Sequence, residues 1–297
     1  MIPPFRPFGA VLTAMVTPMR ADGSIDFGAV SRLASYLVEK GCDGLLVSGT
    51  TGEAPTTHAP EKVELIEVVR KAVGPKIPIL AGAGSNDTAH AVRMAEQAAE
   101  AGADGLLVVV PYYSKPSQRG VIAHFQAVAE STDLPVMIYD IPGRVGIKLA
   151  PATLDALSQI DTIIAVKDAT GDVAAAAATI GRTGMAFYSG DDSLNLAFLE
   201  AGAAGMISVT SHVAADRYAA MVAAHDAGDD AAAKAISVGL EPVVDALMGT
   251  GLGAVTAKAA MQLLGVIPSR AMRLPHVPLD ETEYAALRAA LAAAGIS

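Results

Sequence analysis

A single cysteine, Cys42, stands in 297 residues, which excludes an intrachain disulfide framework and any zinc site built from cysteine. Acidic residues outnumber basic ones 31 to 21, for a formal charge of −10. That sign repels phosphate backbones and anionic lipid, so neither a nucleic-acid nor a membrane-surface partner is expected. No uncharged apolar stretch reaches the roughly 18 residues that a spanning helix needs. The run from Ala10 to Val16, behind Arg6, imitates a short signal sequence, but it lacks a small-residue cleavage site and Thr17-Pro18 breaks it. A first core strand in a cytoplasmic protein is the expectation. His58, His90, His124, His212, His225 and His276 show neither HxxxH nor HxH spacing, so no metal is expected. The glycine-rich dinucleotide fingerprint and the P-loop pattern are both missing, and no cofactor is expected.

What is present is apolar: 52% of the residues, enough for a large core and too many for a disordered chain. Cys42 itself reads as a small core residue. One pattern occurs three times, as Gly41-Cys42-Asp43-Gly44-Leu45-Leu46-Val47, Gly102-Ala103-Asp104-Gly105-Leu106-Leu107-Val108 and Gly202-Ala203-Ala204-Gly205-Met206-Ile207. Each predicts a helix end with glycine in the left-handed position, a tight turn and a buried strand. Further apolar runs without polar alternation lie at 77–81, 136–139, 163–167 and 185–189, as in parallel strands covered on both faces. Helical patterns over 27–39, 60–73, 88–101, 118–131, 151–158, 173–180 and 193–201 fill the gaps. Counting from Leu12 gives eight strands, each followed by a helix: a (β/α)8 TIM barrel. From Ala214 the chain is alanine-rich and helical, with breaks expected at Pro242, 249–253, Pro268 and 275–278. The expected division is a catalytic barrel over 1–225 and a small C-terminal helical appendage over 226–297.

In barrel enzymes chemistry sits at the C-terminal ends of the strands. Lys167 completes the run Ile163-Ile164-Ala165-Val166 and is expected at a water-poor barrel mouth. Desolvation disfavours the ammonium and yields an amine able to attack a carbonyl. Lowering its pKa by about three costs roughly 4 kcal/mol. A solvated lysine that merely ends a strand is the plain alternative. Tyr112, Tyr113 and Tyr139 fall at the ends of strands 4 and 5 and could relay protons for imine formation, or simply pack. Thr50 and Thr51, in a glycine-flanked turn, suit a small carboxylate or form an ordinary turn. Arg144 could fork onto a second carboxylate or lie on the surface. Asp191-Asp192 after strand 7 oppose phosphate, so a small unphosphorylated oxo acid is the expected substrate.

With GTTGE at 49–53, PYYSKPSQRG at 111–120, YDIPGR at 139–144, VKDATG at 166–171 and SGDD at 189–192 in register, the chain resembles the dihydrodipicolinate synthase / N-acetylneuraminate lyase family of Schiff-base aldolases. The likeness runs from about Gly9 into the C-terminal helices. It implies that Lys167 forms an imine with pyruvate and that Tyr139 donates and accepts the proton. It implies further that Thr50 links Tyr139 to Tyr113, which reaches in from a neighbouring subunit of a homotetramer built from two tight dimers. Thr51 would hold the pyruvate carboxylate, Ile207 would contact pyruvate through its backbone, and Gly190 would line the pocket. Arg144 resembles the synthase branch, where arginine takes the carboxylate of L-aspartate 4-semialdehyde on the diaminopimelate route to lysine. A sugar-acid lyase of the same family and a silent ligand-sensing barrel are the rival readings.

Some positions depart from the family's common pattern. Asp140 stands where asparagine is common and Val145 where a small hydroxyl residue is common, which bears on substrate preference. Lysine-inhibited members carry alanine, two histidines and a glutamate where this chain has Pro55, Ala59, Lys62 and His90. An ammonium ligand would lose its carboxylate and meet Lys62, so weak or absent lysine feedback is expected.

Overall fold

The computed structural model describes residues 4–249 and 251–296. Eight parallel strands follow one another around a closed barrel: β1 (Val11–Ala14), β2 (Gly44–Val47), β3 (Ile79–Gly82), β4 (Gly105–Val109), β5 (Val136–Asp140), β6 (Ile163–Asp168), β7 (Ala186–Ser189) and β8 (Gly205–Ser208). Strand β8 pairs back onto β1, with Ile207 opposite Leu12. The intervening helices are α1 (Phe27–Glu39), α2 (Ala59–Val73), α3 (Thr88–Glu100), α4 (Gln118–Ala129), α5 (Pro142–Val145), α6 (Pro151–Leu157), α7 (Val173–Thr183) and α8 (Asn195–Glu200). The chain ends in α9 (Ser211–Asp226), α10 (Asp230–Met248), α11 (Gly253–Leu263) and α12 (Glu281–Ala293).

The expected barrel is therefore present, and the repeated turn accounts for three of its corners. Gly41, Gly102 and Gly202 all adopt positive φ (+106°, +87° and +92°). At Gly102 and Gly202 a Cβ would meet nothing within 4 Å, so glycine is needed there for backbone freedom alone. The aspartates of the repeat stitch neighbouring strands. Asp43 accepts from the backbone N–H of Ala10 and Val11, and Asp104 accepts from that of Ile79 at 2.7 Å.

Strand side chains alternate between two cores. Leu12, Leu46, Leu80, Leu107, Met137 and Ile207 fill the barrel, whereas Leu45, Ile79, Leu106, Val136 and Ile138 pack outward under the helices. Burying each such side chain contributes about 1.5–3 kcal/mol. A third cluster joins Val11 and Met206 to Leu240, Val243, Leu287 and Leu291, so α10 and α12 pack onto the barrel at its β1–β8 seam.

The break expected at Pro242 does not occur; α10 runs through it. Proline removes one N–H and crowds the carbonyl four residues back. Pro242 lies on the exposed side of α10, and Val238 is 53% exposed, so the freed carbonyl lies on the solvent side. Among the described residues no single helix is long and apolar enough to cross a membrane.

Candidate active site

Parallel register brings the chemistry together. Tyr139 and Lys167 are paired across β5 and β6, and both follow inward-facing residues by two, Met137 and Ala165. Each is 6% exposed, and the Lys167 Nζ sits over the Tyr139 ring, 4.5 Å from its centroid. Burial drives the lysine pKa down to about 8; Arg144 pushes the same way and Asp192 opposes. About one amine in ten is then neutral at pH 7, against one in a few thousand for a free lysine. Burial raises the Tyr139 phenol above its ordinary value, while the Arg144 charge and the Thr50 side chain pull it back. The pair is thus a partly neutral amine beside a protonated phenol.

A cleft of about 690 Å³ opens beside Tyr139, with Thr50, Tyr112, Tyr113 and Arg144 also on its wall. Lys167 does not itself line the cleft and reaches it only beside Tyr139. Thr51 and Ile207 are also buried, Ile207 within the barrel core beside Leu12. Gly190 is tied to the lysine by space: a Cβ there would approach Lys167 Cε to 3.2 Å and the Asp168 carbonyl to 3.0 Å. A side chain there would make the Lys167 stem give by a few tenths of an ångström. Arg144 sits exposed on the short α5, whose Pro142 start and left-handed Gly146 end confine it to one turn. Tyr113 is 89% exposed with φ +72°, on the cleft wall.

The outer arm of the cleft is basic. Pro55, Ala59, Lys62 and His90 all line it, with His58 and His276, and no aspartate or glutamate is on its described wall. Lys62 donates to the Ala54 carbonyl at 2.8 Å and to Thr57 Oγ1 at 2.7 Å, and burial lowers its pKa to about 8.

Two further residues belong to the site: Asp192, read from the sequence only as a charge that opposes phosphate, and Ser48, which the sequence did not single out. Asp192 accepts from the backbone N–H of Val209 and Thr210 at 2.9 Å and from Asn195 Nδ2 at 3.1 Å, which puts a buried carboxylate near Lys167. Its only sequence signal is a charge following a buried strand. Ser48, with φ +55°, holds a buried hydroxyl that has no hydrogen-bond partner. Asp140, by contrast, faces away from Tyr139 on the outside of the sheet. It lies opposite Asp168, and burial with that neighbouring carboxylate pushes its pKa up to about 7. Among the described residues no group of three or more His, Cys, Asp or Glu side chains is disposed to hold a metal ion.

Known proteins share this chain's sequence and fold. A model of the dihydrodipicolinate synthetase family matches residues 7–294. The 4-hydroxy-tetrahydrodipicolinate synthase of Bifidobacterium longum is 53% identical over 290 residues, covering 98% of this chain and 96% of that protein. The protein of the same name from Kineococcus radiotolerans is 52% identical over 294 residues, covering 99% and 96%. Among solved structures, dihydrodipicolinate synthase from Bacillus anthracis superposes with a TM-score of 0.93 at 40% identity, covering 97% of this chain and 99% of its own. The lysine-bound enzyme from Cyanidioschyzon merolae gives 0.94 at 39%, covering 99% and 100%. The chain belongs to the dihydrodipicolinate synthetase family and is an aldolase-type enzyme of the lyase class.

Proposed function

We propose that this chain catalyses the 4-hydroxy-tetrahydrodipicolinate synthase reaction, joining pyruvate to L-aspartate 4-semialdehyde in the cytoplasm on the diaminopimelate route to lysine. The observation that carries the reading is the buried Lys167 amine stacked on Tyr139 at the C-terminal mouth of the barrel. The neutral amine adds to the pyruvate carbonyl. Tyr139 protonates the departing hydroxyl, water leaves and an imine remains. Loss of a methyl proton gives an enamine, whose carbon attacks the aldehyde. The semialdehyde's own amine then adds to the imine carbon, closes the ring and expels Lys167.

Thr51 and the backbone of Ile207 hold pyruvate, Gly190 keeps room for the lysine, and Thr50 relays between Tyr139 and Tyr113. The exposed, left-handed Tyr113 supports a site completed by a second copy, within a homotetramer of two dimers. Residues 1–225 form the catalytic barrel and 226–297 the helical region. The test is condensation of the two substrates, run beside cleavage of N-acetylneuraminate and of a 2-keto-3-deoxy sugar acid. A wild-type chain no faster than Lys167→Ala in condensation overturns the reading.

Arg144 receives the semialdehyde carboxylate, a charge-assisted contact of about 1.5–3 kcal/mol. Arg144→Met is expected to raise the KM for the semialdehyde roughly ten- to a hundredfold. The pyruvate concentration that half-saturates imine trapping should barely move. Equal losses for both substrates would remove Arg144 from this role.

Lysine is expected to inhibit weakly or not at all, leaving the rate unchanged at sub-millimolar concentration. Its ammonium would enter an arm lined by Lys62, His58 and His90 with no carboxylate to meet it. Burying an unpaired charge there is costly. Inhibition at sub-millimolar lysine would contradict this.

A further inference from the structure

The turn that carries Thr50 and Thr51 ends on Glu53, a charged residue with no exposed surface. Its carboxylate meets Lys258 Nζ, equally enclosed, and accepts from the Arg273 backbone N–H at 3.0 Å. Lys258 belongs to α11, 205 positions along the chain, and donates a second bond to the Ala271 carbonyl at 2.9 Å. Glu53 also holds φ +59° and ψ +40°, a left-handed backbone that a side-chain-bearing residue adopts only when its surroundings impose it.

The neighbouring backbone is wound around this residue. Glu53 N–H donates to the Thr50 carbonyl, Ala54 N–H to that of Gly49 and Thr56 N–H to that of Glu53. Arg273 extends the tie, donating to the Thr56 carbonyl at 2.7 Å and pairing with Glu61. A buried ion pair adds little net stability over an apolar pair of the same size. What it fixes is geometry, because two dry charges tolerate no arrangement in which they separate.

We propose that Glu53 and Lys258 are positioning residues for the reaction: through them the C-terminal helical region sets where Thr50 and Thr51 present their hydroxyls to Tyr139 and pyruvate. The inference rests on the roles proposed above for those threonines. Neither residue of the pair lines the cleft. They act through the turn.

The test compares the full chain with Glu53→Gln and with Glu53→Gln/Lys258→Met, in which no buried charge is left unpaired. One readout is the pyruvate concentration that half-saturates borohydride labelling of Lys167, measured by intact mass. The other is hydrogen exchange of the Glu53, Ala54 and Thr56 amides. In the double variant the required pyruvate should rise about tenfold or more, while the semialdehyde KM stays near wild type. Those three amides should exchange at least about tenfold faster at an unchanged global melting temperature. A merely structural pair would lower the melting temperature and leave both readouts of the folded protein alone. Wild-type pyruvate saturation, or wild-type exchange, in a folded variant overturns the proposal. If the double variant does not fold, Glu53→Gln, which keeps an oxygen toward Lys258, decides by the same two readouts. A wild-type chain that pyruvate and borohydride leave unlabelled removes the function proposed above, and the exchange comparison alone then decides whether the pair holds the turn.

Discussion

Lys167→Met is expected to abolish borohydride-trapped pyruvate and to cut condensation by about a thousandfold or more, roughly 4 kcal/mol of barrier, while the protein melts at a higher temperature than wild type at pH 7. The two outcomes share one cause. In the folded chain the amine's pKa is lowered from 10.5 to about 8 by burial. Below pH 8 both folded and unfolded chains hold the proton, and the folded chain bears the full cost of enclosing an ammonium, roughly 3 kcal/mol. As pH rises from about 8 to 10.5 the folded chain releases the proton first, and that cost disappears. Contact with the Tyr139 ring returns about 0.5–2 kcal/mol of it. Methionine fills similar space with an unbranched apolar chain and carries no charge to desolvate. A melting scan across pH checks the argument: the variant's advantage should be largest near neutrality and fade above pH 8. A variant that melts below wild type at pH 7, or still traps pyruvate, refutes it.

Most of the barrel was legible because parallel strands covered on both faces leave uninterrupted apolar runs, and helices leave a different period. The pattern over 27–39 coincides with α1, which Asp26 caps by accepting from Ala29 N–H. Helix ends drifted by one to three residues: α4 stops at Ala129, two residues before the expected end, and α7 runs to Thr183, three beyond it. Pro242 misled because a proline's cost depends on whether the carbonyl it frees faces solvent or core, which the sequence does not state. The one-turn α5 was too short to carry a period.

Within the site, Lys167 and Tyr139 stood out because a polar group ending a buried strand conflicts with its surroundings. The same alternation explains why Asp140, next to Tyr139, faces the other way. Asp192 is different. Its enclosure depends on backbone N–H groups of Val209 and Thr210, which follow β8 and come near only after the barrel closes. Glu53 and Lys258 are harder still, since nothing local to either marks it as buried and only their meeting across 205 positions makes them a dry pair. Local pattern reveals a charge that breaks a strand. It does not reveal two charges that find each other.

Tyr139→Phe should separate proton transfer from imine chemistry. The ring lies against the barrel core and Lys167, so phenylalanine keeps the packing and the cleft wall. Only the hydroxyl is lost. A positioned acid-base group contributes about 10²- to 10⁴-fold, and kcat is expected to fall by that amount. Half-saturating pyruvate should change by less than about threefold, because Thr51 and Ile207, not the phenol, are assigned to hold it. Borohydride should still label Lys167, more slowly, since the amine is present and the leaving hydroxyl must take its proton from water. The pH profile supplies the second check. Wild-type kcat/KM should climb through pH 8 as Lys167 loses its proton. Loss of the Tyr139 proton, held above the ordinary phenol value of 10.0 by burial, lies beyond the usual assay range. The variant should therefore keep the rising limb near pH 8 at a much lower plateau. A phenylalanine variant whose kcat stays within about threefold of wild type would mean that another group carries the proton. The Thr50 hydroxyl, with the water it can hold, is then the next candidate to mutate.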